Sequence, residues 1–449
     1  MKKLLLLSAM LLSCGIICLA QSLSGSWNGK LTLGPQSLTI VLNIASDGSC
    51  TLDSPDQGAK GIPCATQYLS TDSIRIDIPA IGGSYSARLT DGKLVGNFVQ
   101  MGYSFPLELV PGEAIPERPQ TPTPPFGYET REVTFANAAA GVTLAGTLTL
   151  PQGCDHSTPV VLMVTGSGLQ NRDEEIFSHH PFAVIADHLA QHGIASLRYD
   201  DRGFGQSTGD ASRATTADFG DDAAAGIKYL KSLGQFGRIG VLGHSEGGMI
   251  AFRLAAHGDV DFAVALASPA MRGDSLLLGQ NRLLLELGGT PRPIIDGYVR
   301  ALSEVLAARV APSRQQGSAL AFADSVATAQ GSNLPQAMVA NLAEVLKESN
   351  VWLDYFLTCN PRADIAAAKC PVMAIGGSKD MQVPAENLEI IKSLLPTDER
   401  NMIKVYDGLN HLLQHCATGS PVEYNAITET ISPEALQDMA LWITTAAKQ

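Results

Sequence analysis

A serine near the middle of the chain has the sequence surroundings of a nucleophile. The apolar run of residues 238–243 leads directly into Gly-His-Ser-Glu-Gly at residues 243–247. This G-x-S-x-G spacing predicts a nucleophile elbow, a tight strand-to-helix turn that tolerates only small residues two positions either side of the serine. The helix predicted over residues 247–257 would direct its free N–H groups toward Ser245 and favour developing negative charge. A chance match among the 43 glycines is the alternative, and the flanking strand and helix argue against it.

Four other motifs lie in a set order before and after this serine. They are TGSGLQNRD at 165–173, DDRGFGQS at 200–207, GGSKD at 376–380 and GLNH at 408–411. With these motifs, the chain from about residue 129 to its end resembles the α/β-hydrolases, particularly secreted bacterial esterases related to the S33-type serine aminopeptidases. The resemblance implies a serine hydrolase, for which no metal or organic cofactor is expected.

The partners of Ser245 are expected on two loops at the same edge of a sheet. A serine hydroxyl at its ordinary pKa is a weak nucleophile and needs a base, which is itself oriented by an acid. In the family the acid follows the nucleophile and the histidine comes last. Asp380 follows the predicted strand 371–376, and His411 follows the predicted strand 402–406 at a similar interval. We therefore expect Ser245, Asp380 and His411 to form a catalytic triad.

Other histidines are weaker candidates for the base. His415 lies one helical turn beyond His411, but no strand and loop precede it at the required interval. His244 adjoins the nucleophile and is interpreted as a packed or hydrogen-bonded core residue. His179 and His180 are interpreted as substrate contacts or as solvated loop residues.

Acyl transfer also requires two donors aimed at the oxygen that becomes an anion. Loss of one such donor raises the barrier by about 2.7–4 kcal/mol. The backbone N–H of Glu246 is expected to be one donor, and that of Ser167 or Gly168 in the glycine-rich turn the other. Thr165 stands where many relatives carry histidine, so the choice between the two residues stays open. A phosphate-binding loop is the competing interpretation of this turn, but no Gly-Lys-Ser/Thr sequence follows.

Three residues are candidate substrate contacts: Arg172, Trp352 and Phe356. Arg172 lies in a loop at the sheet edge, where a structural role is the alternative. The two aromatic residues belong to an apolar cluster that either lines an acyl pocket or packs an insertion onto the core. The side chain of Glu246 is expected to bond Arg172 or a backbone amide near the elbow, or else to bind a substrate amine as in aminopeptidases.

Residues 129–449 show strands alternating with helices, which indicates an α/β fold with an eight-stranded, mostly parallel sheet. Strands are predicted near residues 130–136, 142–150, 159–165, 194–199, 238–243, 261–267, 371–376 and 402–406. The first two alternate as an antiparallel edge does, whereas the central strands are continuous apolar runs typical of buried parallel strands. Leucine-rich helical patterns over about 270–360 predict a helical lid insertion above the elbow.

The segment 21–110 is organised differently. Short alternating runs are separated by turn dipeptides such as Asp91-Gly92, the pattern of antiparallel hairpins. This pattern predicts that the segment forms a small antiparallel β-barrel or sandwich domain. We interpret it as an accessory domain, with a ligand pocket as the alternative. The proline-rich segment 111–128 predicts a semi-rigid linker.

Residues 1–20 have two lysines, an apolar run and a final Cys-Leu-Ala, which predict a cleaved signal peptide and a secreted or periplasmic protein. A lipoprotein signal ending before Cys14 is the alternative. No later segment has eighteen consecutive apolar residues, so no membrane span is expected. The net charge of −13 disfavours nucleic acid and favours a neutral small-molecule ester as partner. The sequence leaves the oligomeric state open.

Six cysteines follow the leader, at positions 50, 64, 154, 359, 370 and 416. Export would permit disulfides, and Cys50–Cys64 and Cys359–Cys370 are the candidate pairs. Six free thiols are the alternative. None of the spacings is typical of a zinc site.

These observations predict a secreted hydrolase that cleaves carboxylic esters through an acyl-enzyme on Ser245. An aminopeptidase, a thioesterase or an acyltransferase would use the same triad. A non-catalytic protein that holds an apolar ligand in its β domain is the alternative from a different functional class.

Overall fold

The computed structural model describes residues 23–33, 36–55, 59–100, 102–112, 118–311, 319–329, 334–347 and 350–446. The predicted signal peptide, residues 1–20, lies outside these ranges, and its cleavage stays a prediction. The chain divides into two compact units, residues 1–117 and 118–449.

The first unit is a closed barrel of eight antiparallel strands, which decides between the predicted barrel and sandwich. The strands are β1 (Gly25–Leu33), β2 (Gln36–Ile44), β3 (Cys50–Ser54), β4 (Ala59–Tyr68), β5 (Ser73–Ile78), β6 (Gly83–Thr90), β7 (Lys93–Gln100) and β8 (Tyr103–Pro111). Pairing of β1 with β8 closes the ring. Apolar side chains such as Trp27, Tyr85 and Phe98 fill the interior. The hydroxyl of the buried Tyr85 donates to the carbonyl oxygen of Leu94 at 2.9 Å, so this phenol is satisfied.

The cysteines of the described residues are free thiols at all six positions. Cys50 and Cys64 face each other across β3 and β4. A hydrogen bond with Cys64, together with burial, raises the pKa of the Cys50 thiol. The two predicted disulfides are therefore not formed, and the free-thiol alternative describes this structure.

The second unit is built on an eight-stranded sheet, as predicted. Its strands are β9 (Glu129–Asn137), β10 (Val142–Leu150), β11 (Val160–Val164), β12 (Ala195–Tyr199), β13 (Ile239–His244), β14 (Ala263–Leu266), β15 (Val372–Gly377) and β16 (Met402–Tyr406). The order across the sheet is β16-β15-β14-β13-β11-β12-β10-β9. β10 runs antiparallel to both β9 and β12, and the remaining neighbours are parallel. The antiparallel edge and the parallel centre agree with the alternating and continuous apolar patterns.

Helices cover both faces of this sheet. They are α1 (Pro181–Gln191), α2 (Thr216–Leu233), α3 (Glu246–His257), α4 (Gly273–Leu287), α5 (Arg292–Val310), α6 (Ala319–Ala329), α7 (Gln336–Lys347), α8 (Val351–Thr358), α9 (Arg362–Ala366), α10 (Glu386–Leu394) and α11 (Pro433–Ala446). Val160 and Leu162 of β11 belong to one apolar layer and Val161 to the other, because successive strand residues face opposite sides. Within the described ranges, no helix combines the length and hydropathy needed to cross a membrane.

Five helices, α4 to α8, form the predicted insertion between β14 and β15. They have an apolar core of their own, to which Leu302, Leu306 and Leu342 contribute. At its centre the fully buried Arg309 donates to Asp354 at 2.6 Å. Its guanidinium also donates to the backbone carbonyls of Val345 in α7 and of Asn350, which precedes α8. One cation therefore joins α5 to the end of the insertion.

The boundary between the two units differs from the predicted linker, residues 111–128. Pro111 ends β8, and residues from 118 onward bond to the second unit. The Arg118 guanidinium donates to the carbonyls of Phe177, Asn425 and Ile427 at 2.7, 2.9 and 2.9 Å. The Gln120 side chain donates to the Ile431 carbonyl at 2.7 Å. Arg118 and Gln120 are therefore held by backbone partners that proline content does not reveal, and the semi-rigid linker stays a prediction.

Replacing Arg309 with methionine is expected to destabilise the second unit by about 3 kcal/mol. The change leaves two backbone carbonyls and the partly exposed Asp354 without the buried Arg309 donor, so the loss falls at the lower end of that for a broken buried pair. Urea denaturation followed by tryptophan fluorescence measures the loss.

Arg282→Met is the matched control, because the pair of Arg282 with Asp296 is more than one-third exposed on both sides. Loss of such a pair should cost less than about 1 kcal/mol. Equal destabilisation by the two substitutions would contradict the central role of Arg309.

Candidate active site

Ser245 occupies the turn between β13 and α3. Its backbone has φ 52° and ψ −117°, a conformation that costs a non-glycine residue free energy. A Cβ on Gly243 would lie 1.9 Å from the carbonyl oxygen of Gly247, and one on Gly247 would lie 2.1 Å from that of Val164. The turn therefore has the geometry expected of a nucleophile elbow, and close backbone contact excludes any side chain at both glycine positions.

Asp380 and His411 form a buried hydrogen-bonded pair at the ends of neighbouring strands. His411 Nδ1 lies 2.8 Å from Asp380 Oδ2. The other carboxylate oxygen accepts from the backbone N–H groups of Gln382 and Val383, at 2.8 and 2.7 Å. The acid thus holds Nδ1 as the protonated nitrogen and leaves Nε2 as the basic one.

Ser245 and His411 line one cavity of about 230 Å³. Its apolar wall contains Pro269, Leu276, Leu277, Trp352, Phe356 and Leu412. Its polar wall contains Gly166, Ser167, Gln170, Glu174, His244, Gln280 and Gln382. The rings of Trp352 and Phe356 stack with centroids 5.1 Å apart. Both predicted aromatic contacts therefore border the cavity, and their role in substrate binding stays a prediction.

The two candidate oxyanion donors of the glycine-rich turn lie in different positions. Ser167 lines the cavity, whereas Gly168 is not among the described residues that do. A Cβ on Gly166 would lie 3.3 Å from that of Ser245, so this turn closely approaches the elbow. Glu246 is the first residue of α3, where a backbone N–H has no intrahelical acceptor. This placement favours Glu246 and Ser167 as the donor pair.

Two buried carboxylates hold the turn that carries Ser167. Asp201 accepts from the Thr165 hydroxyl at 3.0 Å and from the Gln170 N–H at 2.8 Å. Burial raises the pKa of Asp201 to about 7, although these two hydrogen bonds oppose the shift. Glu174 accepts from the Gly166 N–H at 2.7 Å. These contacts fix the backbone on both sides of Ser167.

The side chain of Glu246 has partners that differ from the predicted ones. Its buried carboxylate accepts from the Thr216 hydroxyl at 2.5 Å and from Trp352 Nε1 at 2.9 Å. Burial raises the pKa of Glu246, and hydrogen bonds from Thr216, Trp352 and Ser167 act in the opposite direction. Bonding to Arg172 or to a backbone amide is therefore a wrong prediction. The carboxylate instead ties the insertion to the elbow helix.

Arg172 is not among the described residues that line the cavity, and its predicted substrate contact stays a prediction without support there. Its guanidinium donates to Asp200 at 3.0 and 2.8 Å, to Thr147 at 2.9 Å and to Glu132. Hydrogen bonding to Asp200 raises the pKa of Arg172 against the effect of burial. The structural alternative describes this residue, since each partner belongs to the sheet edge or its loops.

His179 is fully buried, so its interpretation as a substrate contact or solvated residue is wrong. Its Nδ1 lies 2.9 Å from the Thr430 hydroxyl, and its Nε2 lies 3.1 Å from the Tyr424 carbonyl. Burial lowers the pKa of His179 to about 4. His415, the rival base, is exposed and pairs with Glu429 at 2.9 Å.

His244 is a hydrogen-bonded core residue, and Glu174 is a site residue that the sequence analysis missed. His244 Nδ1 lies 2.9 Å from Glu174 Oε1, and its Nε2 lies 3.0 Å from the backbone carbonyl of His411. Both side chains also border the cavity. Glu174 directly follows Arg172-Asp173, but its positive φ of 54° has no sequence signal. Within the described ranges, no group of three or more His, Cys, Asp or Glu side chains is arranged to hold a metal ion.

Comparison with known proteins gives matches over the second unit and beyond. The family model described as serine aminopeptidase, S33, matches residues 179–325, which include Ser245 but neither Asp380 nor His411. Esterase EstD of Thermotoga maritima is 27% identical over 377 residues, covering 80% of this chain and 77% of the relative. Together with the order of the sheet, these matches support an α/β-hydrolase fold and an esterase-like hydrolase.

Two solved structures resemble this α/β-hydrolase at low identity. An esterase of Pyrococcus furiosus has 18% identity and a TM-score of 0.43, with 75% of this chain and 98% of that chain covered. Proline iminopeptidase of Mycobacterium smegmatis has 16% identity and a TM-score of 0.43, with 71% and 99% covered.

His179 is expected to make the hydrolase less stable in acid. An unfolded histidine titrates near pH 6.5, about 2.5 units above the pKa of the buried ring, so the unfolded chain binds the extra proton in this window. The His179 contribution to the free energy of unfolding should be complete above pH ~6.5 and should fall as the pH drops toward 4. Urea denaturation at several pH values, compared between wild type and His179→Gln, isolates this contribution.

His415→Gln is the control, since that ring is exposed. An identical dependence of stability on pH in wild type and His179→Gln would refute the assignment.

Proposed function

We propose that this hydrolase cleaves carboxylic esters through an acyl-enzyme on Ser245. The observation that carries the proposal is the buried Asp380–His411 pair, whose imidazole borders the same cavity as Ser245. The relative from Thermotoga maritima, itself named an esterase, supports the choice of bond.

The proposed acylation uses each group in turn. His411 Nε2 takes the hydroxyl proton as Ser245 Oγ attacks the carbonyl carbon, and Asp380 stabilises the imidazolium that forms. The N–H groups of Glu246 and Ser167 receive the oxyanion. Collapse of this intermediate breaks the bond to the alcohol oxygen, which takes the proton from His411. Water, deprotonated by His411, then attacks the acyl-enzyme; the bond to Ser245 Oγ breaks, Oγ takes the proton back from His411, and the acid is released.

The cavity favours a small, uncharged substrate. Its volume of about 230 Å³ would hold roughly eight atoms of water size, at about 30 Å³ each. One wall is apolar and suits an acyl or alkyl group, while glutamine side chains on the other offer neutral hydrogen bonds. The described residues that line it include no lysine or arginine, so an anionic substrate group would find no cation there.

Aminopeptidase activity is the second candidate, supported by the family model. Such an enzyme needs a carboxylate to bind the substrate ammonium. Glu246 is committed to Thr216 and Trp352, and Glu174, which does border the cavity, is committed to Gly166 and His244. Because both carboxylates already have donors, the ester remains the favoured substrate. Comparison of an aminoacyl p-nitroanilide with the matching p-nitrophenyl ester discriminates the two activities.

Replacing Ser245 with alanine is expected to lower kcat for p-nitrophenyl esters by at least about 10³-fold, because the nucleophile is lost. A fluorophosphonate probe should label the wild type on Ser245, and His411→Gln should lose that labelling. Mass spectrometry locates the adduct, and circular dichroism checks that the variants fold.

His415→Gln is the control for the base and should keep both turnover and labelling, because His415 pairs with Glu429 at the surface. Persistent hydrolysis by folded Ser245→Ala would refute the acyl-enzyme.

Among p-nitrophenyl esters, kcat/KM is expected to be highest for acyl chains of about two to six carbons. Longer chains exceed the cavity, so their extra CH2 groups stay exposed. Each of these groups then lacks the stabilisation of about 0.8 kcal/mol that burial of a CH2 gives. Trp352→Ala should enlarge the apolar wall and move the optimum toward longer chains. A graded series of esters, assayed on both proteins, measures the shift; an unchanged optimum would contradict the assigned wall.

A further inference from the structure

Glu174 and His244 form a second acid–imidazole pair beside Asp380 and His411. Both are buried, with 4% and 7% of their surface exposed. The ring centroids of His244 and His411 are 4.8 Å apart. The proposed mechanism assigns no step to this second pair, although it contacts two loops on which that mechanism depends.

A continuous chain of hydrogen bonds passes through the pair. The Gly166 N–H donates to Glu174 Oε1 at 2.7 Å, and the same oxygen lies 2.9 Å from His244 Nδ1. His244 Nε2 then lies 3.0 Å from the carbonyl oxygen of His411. The chain therefore joins the turn that carries Ser167 to the backbone of the proposed base. It passes through the residue that precedes the nucleophile.

This geometry determines the protonation state of His244. Its two ring nitrogens face a carboxylate oxygen and a carbonyl oxygen, and both of these are acceptors. A ring with a hydrogen on each nitrogen donates to both oxygens, so these contacts favour an imidazolium that faces the Glu174 carboxylate. Removal of one proton would place two acceptors against each other at one of the two contacts.

The acidic groups and the carbonyl nearest to His244 act in the same direction. Burial lowers the pKa of His244, but the charge and hydrogen bond of Glu174, the His411 carbonyl and the charge of Asp380 outweigh it and raise that pKa. Asp201 faces Glu174 from the loop after β12. The ring of His411 also contacts that of His244, and a proton on His411 would act against the charge of His244.

We propose that Glu174 and a charged His244 are positioning residues, and that the pair holds the His411 backbone and the Gly166 amide for catalysis. At alkaline pH, His244 then loses one of its two ring protons, and kcat falls. This inference rests on the proposed serine-hydrolase function.

Glu174→Gln tests the pair with little change of volume. One oxygen of Glu174 accepts from both Gly166 and His244, so an amide oxygen in its place could still accept both bonds. Without the carboxylate charge, however, His244 becomes neutral and loses its contact to Glu174 or to the His411 carbonyl. We expect kcat to fall at least about 10-fold with KM within about twofold. We also expect the variant to lack the alkaline fall of kcat that the proposal predicts for wild type.

Glu429→Gln is the matched control, because Glu429 also pairs with a histidine. That histidine, His415, is exposed and lies one helical turn beyond His411 in the sequence. It should keep the wild-type kcat and pH profile. A folded Glu174→Gln variant with wild-type kcat and an unchanged pH profile would overturn the positioning role, since a purely structural residue would alter only stability.

Histidine 15N NMR on the wild type provides a readout that needs no substrate. His244 should be doubly protonated at neutral pH, and the pH at which it loses its proton should coincide with the alkaline fall of kcat. A neutral His244, or two clearly separated pH values, would overturn the proposal even where Glu174→Gln fails to fold. Wild-type protein that neither hydrolyses esters nor reacts with fluorophosphonate would instead refute the proposed function.

Discussion

Close backbone packing around Ser245 is the constraint on which the site depends. The serine has a positive φ of 52°, and such a conformation costs about 1–3 kcal/mol unless the surroundings hold it. The holding structure is the buried parallel centre of the sheet, where β13 lies between β11 and β14. Backbone atoms occupy the space that side chains at Gly243 and Gly247 would need. Strain at one residue is thus supported by strands whose every residue is buried.

Hydrogen bonds to buried carboxylates organise the loops around this turn. Asp201, Glu174, Glu246 and Asp380 are each no more than 5% exposed. In the site, these carboxylates accept hydrogen bonds from backbone N–H groups, hydroxyls, an indole and histidine rings. Each carboxylate therefore fixes a loop by satisfying its donors, which lysine and arginine cannot do for a backbone amide. The acidic composition of the chain is used inside the fold as well as on its surface.

The strands, the lid and the elbow could be predicted from the sequence, because each depends on local periodicity or on glycine at a tight turn. The Asp380–His411 contact followed from strand ends that meet at one edge. The failures concern side-chain partners. His179 bonds Thr430 across 251 positions, and Arg172 bonds Glu132 across 40. Neither separation leaves a pattern in the chain. The role of the triad in turnover stays a prediction that activity measurements decide.

The hydrogen bond from the Trp352 indole links the insertion to the elbow helix. The indole comes from the insertion and donates to the carboxylate of Glu246, whose own backbone N–H is the proposed first oxyanion donor. Moving the insertion away from α3 would leave the buried Glu246 carboxylate without this donor, at a free-energy cost of about 1–3 kcal/mol. Docking of the insertion against α3 and orientation of the N–H proposed to receive the oxyanion therefore depend on the same residue, Glu246.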